Sequence, residues 1–313
     1  METTTYDAVI VGGGAAGLSA ALVLGRARRR VLVVDAGAPR NAPAAHMQGY
    51  LSRDGMPPAD LLATGRAEIA RYGVELVADT VVSLEAAEPE GSVEPSFRVR
   101  LGGGGAVVAR RLVVTTGVLD EVPDVPGVRE RWGRDLLHCP YCHGWEVRDQ
   151  PLGVLGSIAG SVAHALLVRQ WSDDVVFFAH SYPLTASERT QLDARGIEVV
   201  EGEVARLVVD DDHLTGVALV DGRIVARSAV FVRPGIVPHP DGLLAGLGCD
   251  VDETGFVAVD RTGRTSVAGV WAAGNVADPR AQVITAAGAG SAAAIALNAD
   301  LVEADVAVAV AAR

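Results

Sequence analysis

Apolar residues in this chain fall into short β-branched runs separated by alanine-rich stretches of helical spacing. Residues 6–11, which are apolar from Ala8 onward, predict a buried parallel strand, because a strand covered on both faces loses its polar alternation. An alanine- and leucine-rich stretch follows and predicts a helix ending near Arg28. Residues 30–34 predict a second buried strand, so the chain opens with one βαβ unit and an α/β fold is indicated.

The same order of elements recurs in the second half of the chain. Strand, helix and strand are predicted at residues 151–155, 161–171 and 175–178. A second βαβ unit therefore indicates a second domain of the same Rossmann-like type.

Short strands are predicted between the two units and bounded by turn residues. The last two of them are joined by four consecutive glycines, which indicates a hairpin and a small antiparallel layer. These strands are predicted at residues 74–77, 80–84, 97–101 and 106–108, and a separate buried strand is predicted at residues 112–117. Pro123 and Pro126 then mark a crossover between domains.

Composition excludes several classes of partner. The chain has 313 residues and a formal net charge of -12, which argues against nucleic acid or an anionic membrane as a partner. No apolar run reaches the ~18 residues that a membrane span requires. Three cysteines form no disulfide framework, so we expect a soluble cytoplasmic protein in which any disulfide is catalytic.

The loop after the first strand has the spacing of a dinucleotide-binding turn. Gly12 suits the tight turn, Gly14 allows backbone N–H groups to approach a pyrophosphate, and Gly17 allows the helix to pack closely. Asp35 ends the second strand, 18 residues after Gly17, where a carboxylate accepts hydrogen bonds from ribose hydroxyls. The predicted contacts in this region are Gly12, Gly14, Ala15, Ala16, Gly17, Asp35 and Ala36.

The corresponding loop in the second unit lacks these features. If Gly156 matches Gly12, then Ile158 stands in place of Gly14, where its β-branched side chain restricts the backbone. Ala179 stands in place of Asp35, and no arginine follows closely to hold a 2′-phosphate. Arg189 and Arg195 lie further along and are as readily explained by solvation. The sequence predicts the fold of a dinucleotide domain here but not its nucleotide site.

The segment of residues 138–146 carries the clearest reactive chemistry. Cys139 and Cys142 have C-x-x-C spacing, which lets one thiolate attack a partner while the other closes an intramolecular disulfide. Half a zinc knuckle is the structural alternative, but the third cysteine, Cys249, has no partner in the chain, and zinc motifs draw their ligands from separated segments. We therefore predict redox chemistry and no metal.

The last informative stretch lies near the C-terminus. Residues 267–272 predict a strand that ends before Gly274 and Asn275, and an alanine-rich helix follows from Gln282 and Val283. A strand end beside a fresh helix N-terminus is suited to hold part of a flavin.

Together these motifs resemble the low-molecular-weight thioredoxin reductase family over nearly the whole chain. The resemblance rests on the glycine loop, Thr116-Gly117, the C-x-x-C pair and residues 269–275. It implies a homodimer of chains with two Rossmann-like domains in a three-layer ββα arrangement, the second inserted into the first. Residues 1–119 and 238–313 would form the FAD-binding domain, and residues 120–237 would form the NADPH-type insert that carries the cysteines.

Three departures from the reductases point to a subgroup. His143 follows the second cysteine where the reductases have Asp, Asn275 replaces the flavin-contacting Asp, and the NADPH loop is lost. These changes resemble the dithiol oxidases of holomycin and gliotoxin biosynthesis, which close disulfides in small molecules and return electrons to oxygen. The resemblance implies that Cys139 exchanges with substrate and that Cys142 faces the flavin.

Three functions stay open on the sequence alone. The favoured hypothesis is an FAD-dependent oxidase of a small-molecule dithiol with O₂ as acceptor. In it His143 acts as acid and base, with an unperturbed pKa of ~6.5, and His138 is a second candidate. The runner-up is an NAD(P)H-dependent disulfide reductase, whose substrate could be a thioredoxin-like protein. The third is a non-catalytic flavin-binding redox sensor.

Overall fold

The computed structural model describes residues 4–87 and 95–313. The chain forms two compact units: unit 1 comprises Met1–Ala42, Pro58–Leu119 and Pro238–Arg313, and unit 2 comprises Pro43–Pro57 and Asp120–Val237. Residues 43–57 are predicted within the first domain, whereas the structure groups them with unit 2. The reason is packing: Gly133 lies against Pro43, and the Gln48 side-chain amide donates to the Glu146 carboxylate at 3.1 Å.

Seventeen strands lie within the described residues. In chain order they are β1 Thr5–Val11, β2 Val31–Asp35, β3 Glu75–Ala78, β4 Val81–Ala87, β5 Ser96–Leu101, β6 Ala106–Val114, β7 Val118–Glu121, β8 Leu136–Leu137, β9 Leu152–Leu155, β10 Val175–Phe178, β11 Glu198–Val200, β12 Val204–Asp210, β13 His213–Leu219, β14 Ile224–Ala226, β15 Ala229–Val232, β16 Gly235–Pro238 and β17 Val270–Ala272.

Eight α-helices and a short 3₁₀ helix, Gly274–Val276, accompany these strands in the part of the chain that the structure describes. None of these helices combines the length and the apolar character needed to cross a bilayer. The α-helices are α1 Ala15–Arg26, α2 Pro58–Ala70, α3 Val128–Arg131, α4 Pro140–His143, α5 Ser161–Val168, α6 Ala186–Ala194, α7 Leu243–Gly246 and α8 Val283–Ala311.

Unit 1 is organised around a seven-stranded mixed sheet in the order β3-β2-β1-β6-β5-β4, with β17 also paired to β6. Two separate strands are predicted at residues 106–108 and 112–117, but in the structure β6 is continuous. One edge of β6 pairs with β1, while its other edge pairs first with antiparallel β5 and then with parallel β17. A second correction concerns β3, which pairs in parallel with β2 and extends the main sheet instead of joining the antiparallel layer.

Helices α1 and α8 pack against one face of this sheet. They also lie very close to each other, because the residues where they meet are small. A Cβ added at Gly290 of α8 would overlap the backbone of Ala16, so the helices approach too closely for any side chain there. Arg111, buried within β6, donates to the Asp300 carboxylate of α8 at 2.5 Å. A buried guanidinium with an ionised partner fixes α8 along the sheet, since an unpaired charge there would be costly.

Unit 2 contains a five-stranded parallel sheet in the order β11-β10-β9-β15-β8 and a three-stranded antiparallel sheet, β12-β13-β14. The central strands are buried along their whole length, as the unbroken apolar runs predicted. Strands β7 and β16 pair as a separate two-stranded sheet and contain two of the four points at which the chain passes between units.

Candidate active site

Four strands of unit 1 end at the same edge of its sheet. Val11 at the end of β1 is in register with Val34 of β2 and with Val114 of β6. Val114 is also in register with Ala272 of β17. The segments that follow these strands, residues 12–17, 35–36, 115–117 and 273–275, therefore meet at the carboxyl edge, where open α/β sheets bind their ligands.

The glycine loop has two kinds of geometric requirement. Gly12 has φ +104°, a conformation that favours glycine, and a Cβ there would lie 2.6 Å from the Thr115 carbonyl oxygen. A Cβ at Gly17 would overlap the Gly12 carbonyl oxygen, so this glycine lets α1 begin directly against the loop. Gly14 differs from both: it caps α1 with an extended backbone, and its Cβ position has no atom within 4 Å.

Asp35 binds the loop from the end of β2. Its carboxylate accepts from the backbone N–H groups of Gly13 and Gly37, each at 3.2 Å. It also pairs with Arg66 of α2 at 2.9 Å. The predicted ribose acceptor therefore lies beside the glycine loop, and the exposed Ala36 follows it.

Thr115 is a site residue that the sequence analysis missed. Its hydroxyl lies 2.9 Å from the carbonyl oxygens of both Val11 and Gly12 and braces the loop from β6. The sequence singled out its neighbour Thr116 with Gly117, and Gly117 does adopt a φ of +78°. Nothing in the spacing distinguishes the two threonines, because only the strand register decides which one faces the loop.

The C-terminal stretch joins the same edge. Gly274 has φ +77°, and a Cβ there would lie 3.0 Å from the Ala16 side chain of α1. The Asn275 amide donates to the carbonyl oxygens of Asp278 and Ala281 at 3.0 and 2.9 Å. These bonds hold the turn that leads into α8, so Gln282 at its N-cap and Val283 at its first position follow the end of β17 closely.

The second βαβ unit starts like the first and then diverges. The Gly156 N–H donates to the Phe178 carbonyl at 2.8 Å, as the Gly12 N–H donates to Val34 at 2.8 Å, which supports matching these two glycines. However, α5 begins five residues after Gly156, whereas α1 begins three residues after Gly12. The extra residues form a closed turn.

The Ser161 hydroxyl closes this turn. It accepts from the backbone N–H groups of Ser157 and Ile158, each at 3.3 Å, and donates to the Ile158 carbonyl at 2.7 Å. Ser161 is fully buried. The N–H groups that would face a pyrophosphate in a working loop are thus already bonded within the protein.

The residues at the other positions of this second dinucleotide site are also buried or bonded within the protein. Ala179 is buried, and the His180 ring accepts from the Val204 N–H at 3.0 Å. Arg189 forms an ion pair with Glu201. An arginine that the sequence analysis did not consider, Arg233, follows β15, and its guanidinium lies 3.1 Å from the Cβ position of Gly160.

The cysteine pair lies in unit 2 at the start of α4. Cys139 and Cys142 form a disulfide with a Cα–Cα distance of 5.2 Å. Cys139 caps the helix, and its carbonyl accepts from the N–H groups of Cys142 and His143 at 3.1 Å each. Pro140 occupies the first helical position, where its missing N–H costs no hydrogen bond. The proline ring and these two backbone hydrogen bonds therefore restrict the backbone of the turn between the cysteines.

His143 ends α4 one residue after Cys142. Partial burial lowers the pKa of His143 below its ordinary value, and the negative charge of Glu146 opposes that shift. The imidazole is therefore mostly neutral near neutral pH and able to accept a proton from a thiol.

His138, on the other side of the pair, belongs to a column of rings. Its ring stacks between those of Trp132 and His164, with centroids 6.4 and 6.3 Å away. His164 of α5 is buried, and its Nε2 has no hydrogen-bond partner within the described residues. Burial, with the positive charges of His138 and Arg233, lowers the pKa of His164 to about 4. No spacing pattern marks this residue, which is a lone histidine in an apolar helix.

We expect His164 to make the protein less stable in mild acid. Unfolded histidine takes up a proton near pH ~6.5, whereas folded His164 resists until about pH 4, so the unfolded state binds more protons between these values. The free energy of unfolding should therefore fall as pH decreases through this window, by about 2 kcal/mol near pH 5. Urea denaturation at neutral pH and near pH 5 should show a smaller fall for His164→Gln than for the natural chain. Equal falls in both would contradict this assignment.

A comparison with protein families identifies the type of protein. The family model described as pyridine nucleotide-disulphide oxidoreductase matches residues 6–294. The chain belongs to this family. The α/β class with two Rossmann-like units and the enzyme class of flavin-dependent oxidoreductase, both predicted above, are thereby confirmed.

Individual relatives agree with this membership. The chain is 32% identical over 325 residues to thioredoxin reductase sirT of Leptosphaeria maculans, and the match covers 96% of each protein. A relative in Arthroderma benhamiae is 37% identical over 176 residues, and that match spans 56% of this chain but only 44% of the relative. Among solved structures, HlmI is 61% identical, with a TM-score of 0.95 and coverage of 98% of this chain and 95% of that one. The resemblance stated above is confirmed.

The family membership makes FAD the cofactor. The residues of unit 1 fit FAD: no atom from elsewhere in the protein lies within 4 Å of the Cβ position of Gly14, and the carboxyl edge of the sheet carries the Asp35 carboxylate and the N-terminus of α8. For metals, no cluster of three or more His, Cys, Asp or Glu side chains suited to an ion occurs in residues 4–87 and 95–313.

Proposed function

We propose that this protein is an FAD-dependent dithiol oxidase that forms a disulfide in a small molecule and passes the electrons to O₂. The observation that carries the proposal is the Ser161 hydroxyl, which bonds the two N–H groups that a nicotinamide dinucleotide would need. With these N–H groups bonded inside the protein, the proposal has the redox disulfide and the flavin take their electrons from a thiol substrate instead of NADPH.

The FAD contacts belong to this proposal. The pyrophosphate would lie over Gly14 and the N-terminus of α1, and the ribose would meet Asp35 in place of its bonds to the loop. The flavin end would lie along Thr116-Gly117, Asn275 and the start of α8. The residues proposed to contact FAD are Gly12, Gly14, Ala15, Ala16, Gly17, Asp35, Ala36, Thr116, Gly117, Gly274, Asn275, Gln282 and Val283.

The cysteine pair would act as the relay. A substrate thiolate attacks one sulfur of the Cys139–Cys142 disulfide, whose S–S bond breaks as a mixed disulfide forms. The second substrate thiolate then attacks the mixed disulfide, which releases the oxidised substrate and leaves both cysteines reduced. We assign substrate exchange to Cys139 and electron transfer to the cofactor to Cys142. Reoxidation of the cysteine pair would release two electrons and two protons; bound FAD would supply the two-electron acceptor for this step, with O₂ as the final acceptor reduced to hydrogen peroxide.

His143 would move the protons. A neutral imidazole beside Cys142 can accept the proton of an incoming thiol and return it when a cysteine leaves as a thiolate. His138 precedes Cys139, but its ring is stacked between two others, which suits a positioning role better than proton transfer.

The runner-up remains a disulfide reductase driven by NADPH, acting on a small disulfide or a thioredoxin-like protein. Arg233, beside the second loop, is the observation in its favour, because a guanidinium there could attract a phosphate. A homodimer and a cytoplasmic location are further expectations of the proposal.

Anaerobic reduction of the purified holoenzyme separates the two functions. We expect dithiothreitol to bleach the visible absorption of the flavin, while NADPH at sub-millimolar concentration leaves it unchanged over seconds in a stopped-flow instrument. Admitting air should restore the absorption and release hydrogen peroxide. Fast bleaching by NADPH would favour the reductase, and no bleaching by dithiothreitol would contradict the relay.

A further inference from the structure

The strand that leads into the redox turn is very short. β8 has two residues and lies at the edge of the five-stranded sheet, where it pairs with β15. His138 follows the end of this strand, and Cys139 comes next. A short edge strand leaves part of its backbone unpaired, so the chain just before Cys139 needs a further contact to be held in place.

His164 of α5 supplies that contact. Its imidazole donates a hydrogen bond to the backbone carbonyl of His138, and the two rings are stacked with an angle of 11° between their planes. The His164 ring also meets the ring of Phe231 in β15, with centroids 6.2 Å apart. His164 therefore connects a helix, the strand beside β8 and the residue that immediately precedes Cys139.

The other ring nitrogen of His164 makes no such bond. Nε2 is buried and has no hydrogen-bond partner within residues 4–87 and 95–313, so the bond to His138 is made by Nδ1. A buried nitrogen without a partner lowers the stability of a fold, and a phenylalanine ring would fill nearly the same space without that cost. Packing alone therefore does not explain a histidine at this position, whereas the bond to the turn does.

We propose that His164 is a positioning residue of the redox turn, whose Nδ1–H bond to the His138 carbonyl fixes the backbone that carries Cys139. The inference rests on the proposed function and adds a residue to its relay. Thiol–disulfide exchange requires the attacking sulfur to approach the S–S bond in line, so a fixed Cys139 favours the reactive arrangement. A fixed backbone also leaves the reduced pair less freedom to lose when the disulfide closes, which favours the disulfide.

Two substitutions separate the hydrogen bond from the ring. His164→Phe keeps a ring that stacks but has no donor, and His164→Asn keeps an N–H donor near the place of Nδ1 but has no ring. Each holoenzyme is equilibrated without oxygen in glutathione buffers, where two glutathione thiols reduce the Cys139–Cys142 disulfide and leave as one glutathione disulfide. Counting protein thiols with a maleimide, above the constant contribution of Cys249, gives the equilibrium constant.

We expect stability and redox behaviour to change in opposite directions. His164→Phe should resist urea at least as well as the natural chain. Its equilibrium constant should shift about tenfold towards the dithiol, which is about 30 mV, and its kcat with dithiothreitol should fall about tenfold at an unchanged KM. His164→Asn should be less stable, because the missing ring leaves a cavity, yet it should keep the equilibrium constant and kcat of the natural chain.

His213→Phe is the matched control. His213 begins β13 in unit 2, and its Nδ1 also lies 2.7 Å from a backbone carbonyl oxygen, that of Asp211. This variant should match the natural chain in equilibrium constant and kcat, because it removes the same kind of bond away from the redox turn. If His164→Phe does not fold, His164→Leu takes its place, since leucine also lacks a donor.

Two results would overturn the role of His164. One is an equilibrium constant that is unchanged in the variant without a donor, and the other is an equal loss in that variant and in His164→Asn, which would mark a purely structural residue. Failure of the natural chain to oxidise dithiothreitol would instead reject the oxidase. The glutathione equilibrium would still test His164 in that case, because it requires only the cysteine pair.

Discussion

Cys139→Ser is expected to abolish dithiol turnover and to leave a charge-transfer band at long wavelength. The substitution removes the sulfur assigned to substrate, and on the proposed assignment it would leave Cys142 as a free thiolate facing the oxidised flavin. A thiolate next to an oxidised isoalloxazine donates charge to it, so the band should fade as pH falls through the pKa of that thiol. Visible spectra across pH and steady-state oxygen consumption measure the two effects.

Cys142→Ser should also lose all turnover, because each variant removes half of the dithiol relay. It should lack the charge-transfer band, since the remaining thiol would be Cys139. Incubation with an oxidised substrate should instead trap a mixed disulfide at Cys139, which intact-protein mass spectrometry detects.

Cys249→Ser is the control for both variants. Cys249 is buried in unit 1, where its thiol lies 3.6 Å from the Thr265 hydroxyl, and serine can keep that contact. Turnover and spectrum should match the natural chain. A band in Cys142→Ser and none in Cys139→Ser would reverse the assignment, and wild-type oxidation by the double variant would refute the relay.

Gly14→Val is expected to give a folded protein that is almost free of FAD. The backbone of Gly14 has φ -77° and ψ -171°, which any residue adopts, and nothing in the protein lies within 4 Å of its Cβ position. The branched side chain would instead fill the space that the pyrophosphate needs. We expect FAD occupancy at least about tenfold lower, read from the ratio of flavin to protein absorbance.

Two other glycines make this result interpretable. Gly246→Val places the same side chain in open space elsewhere in unit 1, and its FAD content should be unchanged. Gly17→Val should fail to fold, because the added atoms overlap the Gly12 carbonyl of the loop itself. A yellow, fully occupied Gly14→Val protein would show that the cofactor does not approach this residue.

Much of the fold was predictable because its signals are local. The glycine spacing, the alanine-rich α1 and the apolar run of β1 follow one another within 22 residues, and each reflects a backbone requirement of the βαβ turn. The same holds for the C-x-x-C turn, whose proline and cysteines are adjacent in sequence. By contrast, the continuity of β6 was missed because it depends on β5 and β17, which join it from distant parts of the chain.

The sequence by itself determined the α/β class, the first dinucleotide loop and the redox pair, since these depend on neighbours a few residues apart. Only the tertiary structure decided that Thr115 braces the loop, that Ser161 closes its counterpart and that His164 stacks behind His138. It also brought Trp171 against a turn some 30 residues earlier in the chain. Strand register and helix packing set these contacts. The sequence around a hydroxyl or an indole therefore does not predict which distant part of the chain that side chain contacts.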